Sequence, residues 1–166
     1  MIRTQYKGAR DEVSALSAFV KLVRAAESVS ARIHRHLVDA GLSVSQFGVL
    51  EAIYHLGPLS QSEIAKKVLK STGNITLVID NLEKRDLVKR ERQEDRRYYA
   101  VSLTTKGRKL ISGTFPRHAA KIMEAMGALS SAEQEALGNL CRKLGLRQQE
   151  KKSDTINQKN KGGIHE

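Results

Sequence analysis

Two short stretches of this 166-residue chain carry side chains suited to work on another molecule. The first is Ser71-Thr72-Gly73-Asn74, with Thr76 just behind it. Hydroxyls and a carboxamide can meet the donors and acceptors of a base edge when a helix lies close to it. Ser71 also has the type and place of a helix N-cap. Capping and phosphate contact can coexist there, because a helix start presents free amides. Asn74 has the same capping alternative. Gly73 costs about 1 kcal/mol in a helix relative to Ala, which fits close approach of a partner better than simple tolerance. The second stretch is Asp95-Arg96-Arg97. A guanidinium pair on a flexible reach suits a minor groove, where negative potential is focused. Asp95 can bond loop amides or brace Arg97. An isolated Asp-Arg-Arg would read as a solvated turn, so its meaning depends on what precedes it.

Other chemistry is not encoded. The chain has no phosphate-cradling glycine loop, no His-Glu-x-x-His and no Gly-x-Ser-x-Gly. No enzyme activity, cofactor or metal is expected. His34 and His36 are two apart and are expected on different sides of a helix, while His55, His118 and His165 read as scattered. Cys141 is the only cysteine, so no intrachain disulfide can form. Among Leu137, Leu140 and Leu144 it reads as a buried structural thiol rather than a sensor. There is no run of 18 apolar residues and no signal-peptide core at the start. The expectation is a cytoplasmic protein with no membrane partner.

The elements that must position these residues follow from periodicity and caps. Leu16, Phe19, Val20, Val23, Ala26, Val29, Ile33 and Leu37 recur at helical steps, predicting one long helix over 11–39 that Gly41 stops. Ser43 and Gln46 form a capping box for a second helix, which Gly57-Pro58 ends. Ser60 and Glu63 form another for a short third helix. Ser71 opens a fourth to about Arg85, with Ile75, Val78, Ile79 and Leu82 inward. Leu87–Arg92 and Tyr98–Leu103 predict a β-hairpin around residues 93–97. Thr104 caps a fifth helix to about Met126, which Pro116 is expected to kink or split. Ser130 and Glu133 start a sixth. From about Gln148 onward only Ile156 and Ile164 are large and apolar, so residues 148–166 read as a basic, mobile tail.

Composition agrees with a single globular chain: 40% hydrophobic and 28% charged, with aromatics at 4% and no Trp. The core must be mostly aliphatic. The net charge is +11, and +7 of it falls between Lys66 and Lys109. Such a window points to a polyanion, nucleic acid above all. Two short helices about a tight turn, followed by a basic hairpin, describe a winged helix-turn-helix.

Together, several pieces resemble the MarR family of bacterial transcriptional regulators. They are Leu42-Ser-Val-Ser-Gln46, Leu59-Ser-Gln-Ser-Glu63, Ser71-Thr-Gly-Asn-Ile-Thr76, Asn81-Leu-Glu-Lys-Arg85, Asp95-Arg-Arg97 and Val101-Ser-Leu-Thr104 with Gly107 beyond. The resemblance covers about residues 12–147. It implies a mainly α fold with a small β-wing, about six helices and one β-hairpin. Residues 43–104 would be the DNA-binding domain; residues 1–42 and 105–147 would be the helical dimerisation region. The implied partners are double-stranded DNA with a pseudo-palindromic operator and a second copy of the chain. A small aromatic, possible phenolic, effector would release or retune what is more often a repressor. Ser71, Thr72, Gly73, Asn74 and Thr76 would face the major groove. Arg97, with Arg96 beside it, would enter the minor groove on a wing shaped by Asp95. Phe47 and Phe115 fit an effector pocket and the core equally well. Asp86 stands where the family usually has Gly, and Asp tolerates the left-handed turn better than most residues. Two rival readings are a nonspecific nucleic-acid-binding or nucleoid protein and a helical protein-interaction module.

Overall fold

The computed structural model describes residues 6–69, 71–92 and 99–145. They fall into two compact units, residues 1–125 and residues 126–166. The first unit holds nearly all the secondary structure. Helix α1 (Arg10–His34) passes into a 3-10 turn at Arg35–Leu37. Then come α2 (Val44–Leu56), β1 (Leu59–Ser60), α3 (Gln61–Val68) and α4 (Thr72–Lys84). Strands β2 (Val88–Arg92) and β3 (Tyr99–Leu103) follow, and then α5 (Thr105–Met126). Residues 131–145 form a further helix, α6, in the second unit. The fold is mainly α with one small antiparallel sheet, in the order β1-β3-β2.

Two helix ends are built alike. At the end of the first helical stretch, the Leu42 amide donates to Leu37 O at 3.0 Å and the Gly41 amide to Val38 O at 2.9 Å. Gly41 has φ 64°. At the end of α4, the Leu87 amide donates to Leu82 O at 3.0 Å and the Asp86 amide to Glu83 O at 2.9 Å, with Asp86 at φ 57°. Both are Schellman caps, and in each the flanking leucines are buried together. Asp86 therefore makes the left-handed turn expected of it. The α2 and α3 capping boxes form as the sequence predicts.

Three expectations need correction. The first helix does not run to 39 in α form. His36 Nδ1 lies 2.7 Å from Ile33 O, and the bonds from Asp39 to His36 and from Ala40 to Leu37 span three residues, so the chain tightens into a 3-10 turn. Pro116 does not split α5, which runs unbroken around it. A proline removes one amide donor, and the turns on either side keep the helix going. Finally, the hairpin gains a third strand: Leu59 pairs with Val101 and Ser60 with Ala100, just before α3.

The core is aliphatic apart from Phe47. Leu50, Ile64, Ile75, Ile79, Leu82 and Ile111 have no exposed surface, each worth about 1.5–3 kcal/mol of burial. It binds α2, α3 and α4 to the sheet and to the start of α5. Gly107 fixes that last contact, because a Cβ there would sit 1.9 Å from Leu87 O. Thr104 Oγ1 accepts from the Gly107 amide at 3.0 Å and donates to Asp86 O at 2.7 Å. By contrast, only Ile33 of α1 is buried. The tail expected over 148–166 lies outside the described residues.

Candidate nucleic-acid interface

Helix α4 has two unlike faces. Ile75, Ile79 and Leu82 are buried, while Ser71, Thr72, Gly73 and Asn74 are all exposed at its first turn. Ser71 is the N-cap, its hydroxyl accepting from the Asn74 amide at 3.4 Å. Among the described residues nothing lies within 4 Å of a Cβ built on Gly73, so their packing does not demand glycine there. Thr76 is different. Its hydroxyl donates to Thr72 O at 3.0 Å and accepts from Gln61 Nε2 of α3. Its single proton is thus committed within the fold. Two neighbours escaped the sequence reading. Gln61 is fastened to Thr76 across the turn between α3 and α4, a contact that only the folded arrangement reveals. Leu77 is 66% exposed beside Asn74. An exposed leucine three residues along the polar face was a signal available in the sequence, since apolar contact reads the thymine methyl.

The wing is tied to α4 by charge. Arg90 of β2 is bonded to Glu83 and, at 2.5 Å, to Asp80. Its own amide donates to Glu83 Oε1 at 3.2 Å. These carboxylates raise the Arg90 pKa against the opposing effect of partial burial, which is the largest single influence. Further out, Arg92 Nε donates to Tyr99 Oη at 2.9 Å across the two strands. Asp95, Arg96 and Arg97 lie outside the described residues.

Part of the basic window serves the fold itself. Arg85 Nη1 donates to Gly41 O at 2.9 Å and to Gln46 Oε1 at 3.3 Å, clamping the end of α4 to the start of α2. Lys106 Nζ donates to Arg85 O at 2.8 Å, and Lys89 pairs with Glu91. Lys66, Lys67 and Lys84 remain exposed on α3 and α4.

The groups read as scattered are partly gathered. The His118 ring centroid lies 5.8 Å from His34, 5.3 Å from His36 and 4.3 Å from Phe47. His34 ends α1 and His36 sits in the 3-10 turn, so the change of helix type lets both reach one ring of α5. His55 instead packs against Tyr54 and Phe115. Among the described residues no group of three or more His, Cys, Asp or Glu is placed to hold a metal ion. A cleft of about 430 Å³ opens beside His118 and is lined by Phe47, Glu51, His55 and Lys67 among others. Phe47 borders it, and Phe115 does not. Burial raises the Glu51 pKa, with His55 opposing. Cys141 is exposed, correcting the buried thiol: α6 is exposed along its whole length, so its leucines do not enclose the sulfur. Among the described residues no helix is long and apolar enough to cross a membrane.

A sequence profile of the MarR family matches residues 42–99. The HTH-type transcriptional regulator MhqR of Bacillus subtilis (strain 168) is 36% identical over 132 residues, 79% of this chain and 91% of the relative. The solved structure of BpsR from Bordetella bronchiseptica has a TM-score of 0.70 and 28% identity, covering 78% of this chain and 98% of that one. DNA binding by BpsR is regulated by 6-hydroxynicotinic acid. AbsC from Streptomyces coelicolor, a MarR family regulator at 18% identity, shares the fold with a TM-score of 0.76 over 89% of this chain and 99% of its own. With its winged helix-turn-helix and its likeness to MhqR along most of its length, the chain belongs to the MarR family of transcriptional regulators.

Proposed function

We propose that the protein is a homodimeric repressor that binds a pseudo-palindromic operator, α4 entering the major groove and the wing the minor groove. The observation that carries this reading is the first turn of α4. Its small polar side chains are exposed while the opposite face is sealed into the core. Ser71, Thr72, Gly73 and Asn74 let the helix approach, Asn74 reads a base edge, and Leu77 meets a thymine methyl. Arg96 and Arg97, on the wing shaped by Asp95, supply charge to the minor groove. Thr76 orients Gln61 rather than donating to a base.

The second copy covers apolar surface that one chain leaves bare. On α1, Leu16, Phe19 and Val20 are exposed; on α6, Leu137, Leu140 and Leu144. Bundling such surfaces between two chains is what stable dimers do. Residues 1–42 and 105–147 are the segments that supply them.

The cleft beside His118 is the proposed effector site. Its size suits a single-ring molecule, with Phe47 as one wall. His55 and Lys67 also line it and offer hydrogen bonds to a polar substituent on such a ring. The regulation of BpsR by 6-hydroxynicotinic acid supports an aromatic acid or phenol.

Selection of bound duplexes from a random pool tests the reading. One enriched, two-fold-symmetric sequence is expected, held at least about a thousandfold more tightly than random duplex. Equal binding to every duplex would make the protein a nonspecific nucleic-acid binder. No binding to any would leave a protein-interaction module.

A further inference from the structure

The histidine cluster has features that neither DNA binding nor packing uses. His36 and His118 are buried, and His36 Nε2 and His118 Nδ1 are buried nitrogens without a hydrogen-bond partner among the described residues. Buried polar atoms are normally satisfied, so two such nitrogens in one cluster call for an explanation. The His34 and His36 imidazoles each lie within 5.8 Å of that of His118, where two positive charges would repel. The fourth member is Phe47 of α2, whose ring lies closest to His118. The cluster therefore joins three elements: the end of α1 with its 3-10 turn, α5, and the first helix of the DNA-binding lobe.

The surroundings offer little to an imidazolium. On the side where His36 borders a cleft, Asp39 is paired with Arg117 at 2.9 Å, and Glu124 with Lys121 at 2.7 Å and Arg32 at 3.9 Å. Arg35 lines the same cleft. Its acids are thus committed, and its remaining charge is positive. On the side where His34 and His118 border the other cleft, α2 contributes Glu51 and His55 and α3 contributes Lys67. Glu51 is the one carboxylate there, and burial favours its neutral form.

We propose that His34 and His118, gathered around His36, form a proton-sensitive joint: with the two neutral, α5 and the end of α1 are held against Phe47; with them protonated, the cluster parts and the DNA-binding lobe loosens from its operator. Histidine is the side chain whose ordinary pKa lets a mild pH change do this. Burial is the largest cause of a lowered pKa at both His34 and His118, and the neighbouring histidines add to it. The joint is therefore closed at neutral pH and opens below the ordinary histidine value of 6.5. Its DNA output rests on the function proposed above; its titration does not.

Two measurements test it. The first follows histidine and phenylalanine ring resonances by NMR on the free protein as pH falls. His118 should titrate below its ordinary value of 6.5, and the Phe47 ring should shift with the same midpoint. His36→Gln should raise that midpoint, because one repelling neighbour is gone. A His118 midpoint at or above 6.5, or a Phe47 ring that ignores the titration, overturns the joint. The second compares affinity for selected and random duplexes at about pH 7.5 and about pH 5.5, the range histidine spans. Taking the ratio cancels the general gain of positive charge. The wild-type ratio should fall about tenfold, a common size for coupling between sites; in His36→Gln it should begin to fall at a higher pH, and in His118→Phe it should hold steady. An unchanged wild-type ratio overturns the proposed output. A protein that prefers no duplex at any pH, yet titrates as expected, sinks the DNA reading and leaves the joint standing.

Discussion

Among the side chains offered to DNA, hydrogen-bonding capacity separates what can read a base from what can only support. The carboxamide of Asn74 makes no hydrogen bond among the described residues, whereas the Thr76 proton is spent on Thr72 O. Asn74→Ala should therefore relax preference at particular operator positions by about 1–3 kcal/mol. Thr76→Val should weaken binding more evenly, through Gln61. Titrations on operators with single base-pair changes would decide, and a uniform loss for Asn74→Ala would count against base reading. Arg97→Ala should act on charge instead. It should weaken specific and random duplexes together and flatten log K against log salt by about one or two units, since a dimer carries two wings. Asp95→Ala should give a milder form of the same defect. Gly107 is a residue of a third kind, required for the closeness of two backbones rather than for any side chain. Gly107→Ala forces its new carbon into Leu87 O, and a cost of at least about 3 kcal/mol is expected by denaturant titration. A normal unfolding midpoint would show that α5 can shift away from β2 unharmed.

Between elements, the fastening of wing to recognition helix was the hardest thing to read from sequence. Caps are local, so Ser43 with Gln46, Ser60 with Glu63 and Ser71 could be placed from spacing alone. Asp86 could be matched to its turn by backbone chemistry. Arg90 offers no such signal, because Asp80 and Glu83 are ten and seven residues away and face it only once the chain has turned back. The same blindness made β1 invisible, since two residues have no period, and set His118 apart from histidines about eighty residues earlier. Charge counting erred in the opposite direction: Arg85, Lys89 and Lys106 bond within the protein. The ion pairs of Arg90 are partly solvated, so Arg90→Met should cost at most about 1 kcal/mol of stability. Its effect on DNA should be larger. Amide exchange in β2 should speed up and operator affinity should drop several-fold, as a wing no longer held by α4 loses its pre-set orientation. Affinity that tracks only the small loss of stability would make the pairs ornamental to binding.

For the whole molecule, assembly and acidity are the properties to measure. Phe19→Glu or Leu140→Glu places a charge in a proposed subunit contact, so light scattering should change from dimer to monomer. A variant that stays dimeric would move the interface elsewhere. Stability should also depend on pH in a set direction. The folded-state pKa values of His34 and His118 lie below those of the unfolded chain. The unfolded chain thus takes up protons first, and the stability present above pH 6.5 is lost as pH falls through the depressed values. The midpoint of thermal melting should drop over that window, and less so in His118→Phe. A last consequence comes from the Arg90 fastening. If α4 and the wing turn as one piece, the offset between their footprints along a duplex is a constant of each protomer. Operators can then differ in the spacer between half-sites but not in the register within a half-site. Lengthening the centre by about five base pairs, half of the roughly 10.5 in a helical turn, puts the second half-site on the far side of the duplex. Such an insertion should leave one protomer engaged and the other facing away.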